Sequence, residues 1–251
     1  MKQYLALIYQ KSLSDFKAEA RRGSLGIIWW LLEPLLYVGV FYVIFSIIFH
    51  RGDESSIVNL LTALVVWKWF DSAVRQSSNS ISSNVGLIRQ VYLPKIMFPL
   101  MVITTATMRF LIIFPLLIVF IILQGYEPSI VWVAVPIIMI VQLMAIFAIG
   151  GFLAAIIPFA PDLRMLIDNG MTLLFFLSGI FFDINNVSPN IKFYLYMNPM
   201  IGIIESYRDV LLDGQWPDLT MLFIIATVSM LGILLACYIL NRFDRQYLKI
   251  I

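Results

Sequence analysis

Long apolar runs constrain this chain more than any other feature, above all those at 29–49 and 130–157. Crossing the hydrocarbon core of a bilayer takes about 20 residues of helix. A helix also satisfies its own backbone hydrogen bonds, which lipid cannot do for it. The runs therefore read as membrane spans and not as core helices of a soluble domain. Composition agrees, with 61% of the 251 residues hydrophobic and 13% charged, against about 25% charged in an average soluble domain.

Breaks at charged or Pro-, Gly- and Asn-rich stretches predict six spans, near 29–49, 57–74, 97–123, 130–157, 165–184 and 219–240. Lys68 and Asp71 interrupt the second, so its cytoplasmic end is placed between Trp69 and Arg75. The expected fold class is an all-α integral membrane protein, one domain over 1–251. It has an N-terminal amphipathic helix (1–24), spans one to five (29–184) with a cytoplasmic loop at 75–96, an outer segment (185–217), the sixth span and a short tail (241–251). The outer segment contains apolar stretches at 193–197 and 200–204 that are too short to span. They suit helices that dip partway into the membrane under cover of protein or a water-filled cavity.

Basic residues beside spans stay cytoplasmic. Of the 17 Lys and Arg residues, 13 fall on one side: Lys2, Lys11, Lys17, Arg21, Arg22, Lys68, Arg75, Arg89, Lys95, Arg164, Arg242, Arg245 and Lys249. Arg51, Lys192 and Arg208 fall on the other, and Arg109 lies inside the third span. Both termini are therefore expected in the cytoplasm.

Several function classes drop out. A net charge of +2 implies no nucleic-acid partner. The lone Cys237 lies in the last apolar run, so neither an intrachain disulfide nor a Cys-based metal site can be assembled. The first 22 residues lack the features of a signal peptide and are expected to be retained. No Gly-x-x-x-x-Gly-Lys-Ser/Thr stretch occurs, so any ATP energy must come from a partner. Ser178-Gly179 lacks the context of a serine hydrolase, and the single histidine, His50, lies in a distant outer segment.

The remaining motifs each carry two readings. Tyr4, Leu5, Ile8, Leu13 and Phe16 alternate with Lys2, Lys11, Lys17 and Glu19 as in a helix lying among headgroups, an anchor or a docking surface for a partner. Glu33, at the edge of a span, needs a counter-charge or water. Tyr37, Phe41, Phe45 and Phe49 recur every four residues and line one helix face with rings, which stack on sugars or merely pack. Arg109 faces the bundle or a water path, or sits in a structural ion pair. Ala148, Gly151 and Ala155 form a small-residue face for close packing within or between chains.

Three further stretches, in order along the spans, carry a resemblance to a known family. They are Arg22-Gly23-Ser24-Leu25-Gly26 with Trp29 and Pro34; Asn84-Val85-Gly86-Leu87-Ile88 with Tyr92-Leu93-Pro94 and Phe98-Pro99; and Ser178-Gly179-Ile180-Phe181-Phe182 with Pro189, Asn198-Pro199 and Glu205-Ser206-Tyr207-Arg208. Over essentially its whole length the chain resembles the permease subunit of an ABC-2 type exporter, in the branch that exports O-antigen, capsular and teichoic-acid polysaccharides. Tyr92 stands where a phenylalanine is common. The resemblance implies a homodimer in the bacterial inner membrane, two copies of a cytoplasmic P-loop ATPase that bind ATP and Mg, no cofactor on this chain, and a lipid-linked polysaccharide as cargo. It implies coupling to the ATPase through Asn84, Leu87, Ile88, Arg89, Tyr92 and Pro94. Phe181, Phe182, Asn198, Pro199, Glu205 and Arg208 would belong to an outer gate of re-entrant helices. With the ring spacing, it makes Tyr37, Phe41, Phe45 and Arg109 candidates for the substrate path.

Competing classes are a secondary transporter, for which neither coupling charges nor internal repeats stand out, and a membrane-embedded transferase, for which no catalytic constellation is assembled. Within the exporter reading, a small hydrophobic molecule or drug is the alternative cargo.

Overall fold

A computed structural model describes residues 2–21, 26, 28–43, 54–182, 184 and 187–250. Among these the chain is all helical, without a strand. In chain order the helices are α1 (Lys2–Arg21), α2 (Ile28–Tyr42), α3 (Glu54–Ser78), α4 (Val85–Gln90), α5 (Met97–Leu123), α6 (Val135–Ile156), α7 (Leu163–Leu177), α8 (Pro189–Leu195), α9 (Pro199–Leu211), α10 (Leu219–Arg242) and α11 (Asp244–Ile250).

Among the described residues, four segments are long and apolar enough to cross a bilayer: Ile57–Ser78, Met97–Leu123, Ile130–Phe159 and Leu219–Arg242. The second expected span is longer than its charges imply. Helix α3 continues through Lys68 and Asp71 to Ser78, because each charge meets a counter-charge, Glu33 and Arg75 respectively. The loop that follows accordingly begins after residue 78, not at 75. The fifth expected span is shorter. Helix α7 ends at Leu177, and Gly179 then adopts φ +71°, a left-handed conformation that closes helices and favours glycine. Its 15 residues reach about 22 Å at roughly 1.5 Å per residue. Of the first span, α2 covers the part up to Tyr42; Phe45, Phe49 and His50 lie outside the described residues.

The main core forms where α3, α5, α6 and α9 meet, with Leu64, Val66, Ile138, Ile146, Ile203 and Tyr207 fully buried. Trp69 stacks on Phe110 at 4.1 Å between ring centroids. Because lipid tails are as apolar as leucine, close packing and interhelical hydrogen bonds hold such a bundle together. Gln142 on α6 supplies one bond, its Nε2 donating to the Val66 carbonyl of α3 at 2.9 Å. The small-residue face of α6 packs within the chain: a Cβ on Gly232 of α10 would meet the Ala148 Cβ at 2.9 Å, and one on Gly151 would meet the Ala236 Cβ at 3.4 Å. Helix α9, too short to span, is buried against α3, α6 and α10.

A second, smaller core lies at the ends of α5, α6 and α10 that border the loop after α3. It gathers Ile81, Ile88 and Leu93 of that loop, Met97, Phe98 and Met101 of α5, Ala154 and Ala155 of α6, Leu240 of α10 and Tyr247 of α11. Helix α1 reaches it through Ile8 and follows α5, where Ser12 Oγ donates to the Met101 carbonyl at 3.0 Å.

Candidate functional site

Along α3, Lys68, Asp71 and Arg75 are spaced by three and four residues and therefore share one face. Lys68 Nζ donates to Glu33 Oε1 of α2 at 2.6 Å. Arg75 Nε donates to Asp71 Oδ1 at 2.7 Å, and its Nη1 reaches the Asp168 carbonyl of α7 at 2.9 Å and Asp168 Oδ1 at 3.1 Å. Its Nη2 donates to Thr172 Oγ1 at 3.3 Å. These groups are paired but not sealed: the Glu33 side chain is 44% exposed and that of Asp168 52%. An ionised group at membrane depth belongs against protein or water and not against lipid. Between α2, α3 and α7 these charged groups thus stay partly exposed, whereas the exposed residues of α5 and α10 include Leu111, Val119, Phe223 and Leu231.

Rings border the polar groups. Lys68 Nζ lies 4.6 Å from the Tyr37 ring centroid, within the range of a cation–π contact. Tyr37 meets Phe175 of α7 edge-on at 6.2 Å, Phe175 lies 5.9 Å from Trp67, and it meets Phe181 edge-on at 5.0 Å. The predicted Tyr37 therefore lies on this face. Phe41 lies one turn further along α2, with its side chain outside the described residues, as Phe45 is altogether. Arg109 is placed elsewhere, its Nη2 2.8 Å from Glu19 Oε2 of α1 and its guanidinium 5.5 Å from the Trp30 ring centroid. Of the two readings, the structure gives it the ion pair.

The residues predicted for the outer gate are tied by hydrogen bonds into a latch. Asn198 caps α9 by accepting from the Met200 N–H at 3.0 Å, and its Nδ2 donates to Ser178 Oγ at 2.8 Å. Pro199 follows at the first helical position, where a missing N–H costs nothing. Arg208 donates to the carbonyls of Gly179 at 2.8 Å, Ile180 at 3.2 Å and Asn59 at 3.3 Å, joining α9 to the ends of α7 and α3. Tyr196 OH donates to Glu205 Oε2 at 2.7 Å. Burial, then this bond and the neighbouring carboxylates, raise the Tyr196 phenol well above its ordinary range. Burial and the charges of Glu205, Asp213 and Asp218 push Asp209 up to about 6, against the pull of Arg208. Phe181 joins the ring chain from Tyr37 to this latch, and Phe182 beside it is partly buried.

In the loop after α3, Ile88 is buried in the smaller core and Leu87 packs partly against it. Asn84, at the start of α4, donates from Nδ2 to the Ser80 carbonyl at 2.7 Å, and Pro94 is partly buried. Arg89, Val91 and Tyr92 point outward, Tyr92 being 64% exposed. Ile88 therefore supports the loop from within, and the outward residues make the surface that a partner would meet.

Sequence reasoning missed several residues of these sites. Lys68 and Asp71 break the apolar run of the second span, and a charge inside such a run itself calls for a counter-charge or water. Asp168 and Phe175 carried no signal, because each acts through a residue far away in the chain.

The family model described as ABC-2 type transporter matches residues 7–212. The chain is 28% identical over 201 residues to the O-antigen export system permease protein RfbA of Klebsiella pneumoniae, covering 80% of this chain and 78% of that protein. It is 27% identical over 229 residues to RfbA of Myxococcus xanthus, covering 90% and 88%. It is 29% identical over 205 residues to the capsule polysaccharide export inner-membrane protein CtrC of Neisseria meningitidis, covering 74% and 72%. The match over most of the chain makes it a member of the ABC-2 type transporter family.

Proposed function

We propose that this chain is the permease subunit of an ATP-driven exporter that moves a lipid-linked polysaccharide, of O-antigen or capsule type, across the bacterial inner membrane. The observation that carries the reading is the α2–α3–α7 face, where paired charges and aromatic rings stay open to their surroundings at membrane depth. A glycan needs both features: hydrated polar groups that exchange hydrogen bonds with hydroxyls, and rings that stack on the apolar faces of sugars. Paired charges also suit passage, since they leave no strong unbalanced site to trap the polymer. The names of the relatives point to the same cargo.

In this reading two copies face each other across the α2–α3–α7 surface and enclose the path. Helix α2 belongs to the first span and α7 with the turn after it to the fifth, making six, with both termini cytoplasmic. Helices α8 and α9 are the re-entrant outer element, and the Asn198, Glu205 and Arg208 latch holds the gate. The outward residues of the loop 79–96 meet one ATPase per copy, and ATP and Mg belong to that partner. Closure of the ATPase pair pushes on the loop and, through the smaller core, on α5, α6 and α10.

Deleting the gene in its native cell should remove one surface polysaccharide and leave lipid-linked polymer on the cytoplasmic side, with restoration by the wild-type chain. Unchanged surface glycan together with loss of tolerance to a hydrophobic drug would replace the proposed cargo.

A further inference from the structure

The C-terminal segment, expected as a plain basic tail, folds back onto the cytoplasmic loop. Helix α11 follows α10 after a single residue, Phe243. Its first residue, Asp244, receives two bonds from the loop: Tyr92 OH donates to Oδ2 at 2.8 Å, and the Lys95 backbone N–H donates to Oδ1 at 3.2 Å. The Lys95 ammonium is completely buried, 3.9 Å from Asp244 Oδ1, and donates to the Leu93 carbonyl at 3.1 Å. A buried ammonium needs a counter-charge, and Asp244 is the carboxylate ion-paired with it.

Helix α11 is itself anchored from behind. Tyr247 is fully buried, its OH donating to the Ala155 carbonyl of α6 at 2.8 Å, and its ring lies 5.0 Å from that of Phe159. Phe243 meets the same Phe159 ring edge-on at 5.8 Å. Between α4 and α5, residues 92–94 have no regular structure. Here the position of the loop is set by side chains, with Leu93 buried in the smaller core and Tyr92 and Lys95 held by Asp244 of α11.

We infer that α11 is a positioning clamp. Asp244 fixes Tyr92 and Lys95 relative to α6 and α10, so that force on the exposed loop reaches these spans instead of being absorbed by the irregular segment. This rests on the proposed exporter function and adds to it an element that lies outside the loop.

The test reconstitutes the permease with its ATPase in vesicles and reads polymer exported per ATP hydrolysed, and separately the stimulation of the ATPase by the permease. Tyr92→Phe deletes one exposed hydroxyl and leaves the cores intact; Asp244→Asn keeps shape and removes charge. Each should lower export per ATP about 3- to 10-fold with complex assembly unchanged. The double variant should be no worse than the poorer single one, as expected of coupled groups, and Asp244→Glu should recover part of the loss. Wild-type ratios in both single variants, or losses that multiply independently, would overturn the clamp. A wild-type complex that moves no glycan, yet whose ATPase stimulation changes in both variants, would overturn the cargo and leave the clamp standing.

Discussion

Lys68 donates a 2.6 Å hydrogen bond to Glu33 across the α2–α3 contact while the Glu33 side chain stays 44% exposed. A pair sealed in apolar surroundings costs about 3–5 kcal/mol when one partner is removed, and a fully exposed pair less than about 1 kcal/mol. On a hydrated path the cost falls between. Lys68→Met and Glu33→Gln should each destabilise the protein by about 1–3 kcal/mol, and the exchange Glu33→Lys with Lys68→Glu should recover part of it. Thermal melts of purified protein decide this; single variants as stable as wild type would show that the pair contributes nothing.

Water access to the same face can be mapped directly. With Cys237→Ala as background, cysteines at Tyr37 and Asp168 should react with a membrane-impermeant thiol reagent in an assembled complex, and cysteines at Phe223 and Leu231 should not. Equal protection at all four positions would remove the hydrated path.

Arg109 and Glu19 form an ion pair in which the arginine side chain is 16% exposed, so breaking it leaves a poorly hydrated guanidinium. Glu19→Gln should cost about 3 kcal/mol, and the apolar double variant Glu19→Leu with Arg109→Met should recover most of that. A double variant less stable than the single one would argue that Arg109 has a role beyond the pair.

Asp209 has a folded-state pKa of about 6, above its ordinary 3.8. The folded protein then binds this proton more tightly than the unfolded chain, so the contribution of Asp209 to stability falls as pH rises from about 4 through about 6. Asp209→Asn should raise the melting temperature at pH 7.5 and have little effect at pH 4.5. An equal effect at both values would assign the change to packing and not to charge.

Helices α6 and α10 approach so closely at Gly232 that an added Cβ would lie 2.9 Å from that of Ala148. Gly232→Val should destabilise by about 1–3 kcal/mol, the usual range for overpacking, whereas Gly39→Ala, which meets nothing within 4 Å, should be tolerated. Comparable yields and melting temperatures for the two would contradict the α6–α10 contact.

Much of the fold could be read in advance because hydropathy is a local property. The apolar runs predicted the spans beginning at 97, 130 and 219 almost to the residue. Errors came where tertiary partners override local signals: the charges of α3 do not end it, because Glu33 and Arg75 neutralise them, and α7 stops early at the left-handed Gly179. The small residues Ala148 and Gly151 were recognisable as a packing face, but not their partners Gly232 and Ala236. The ring spacing of α2 is likewise local, whereas the neighbours of Tyr37, Lys68 and Phe175, come from other helices.

The sequence by itself determined that this is a helical membrane protein, since each long helix satisfies its own backbone and its burial in lipid depends on composition along a single run. It also carried the family, through short motifs in a characteristic order. Only the tertiary structure decided which charges are neutralised, where paired charges stay exposed and what holds the loop after α3. Those outcomes depend on contacts such as Arg109 with Glu19 and Tyr92 with Asp244. Ion pairs and hydrogen bonds act over a few ångströms of space, and no pattern along the chain records which distant residues will come that close.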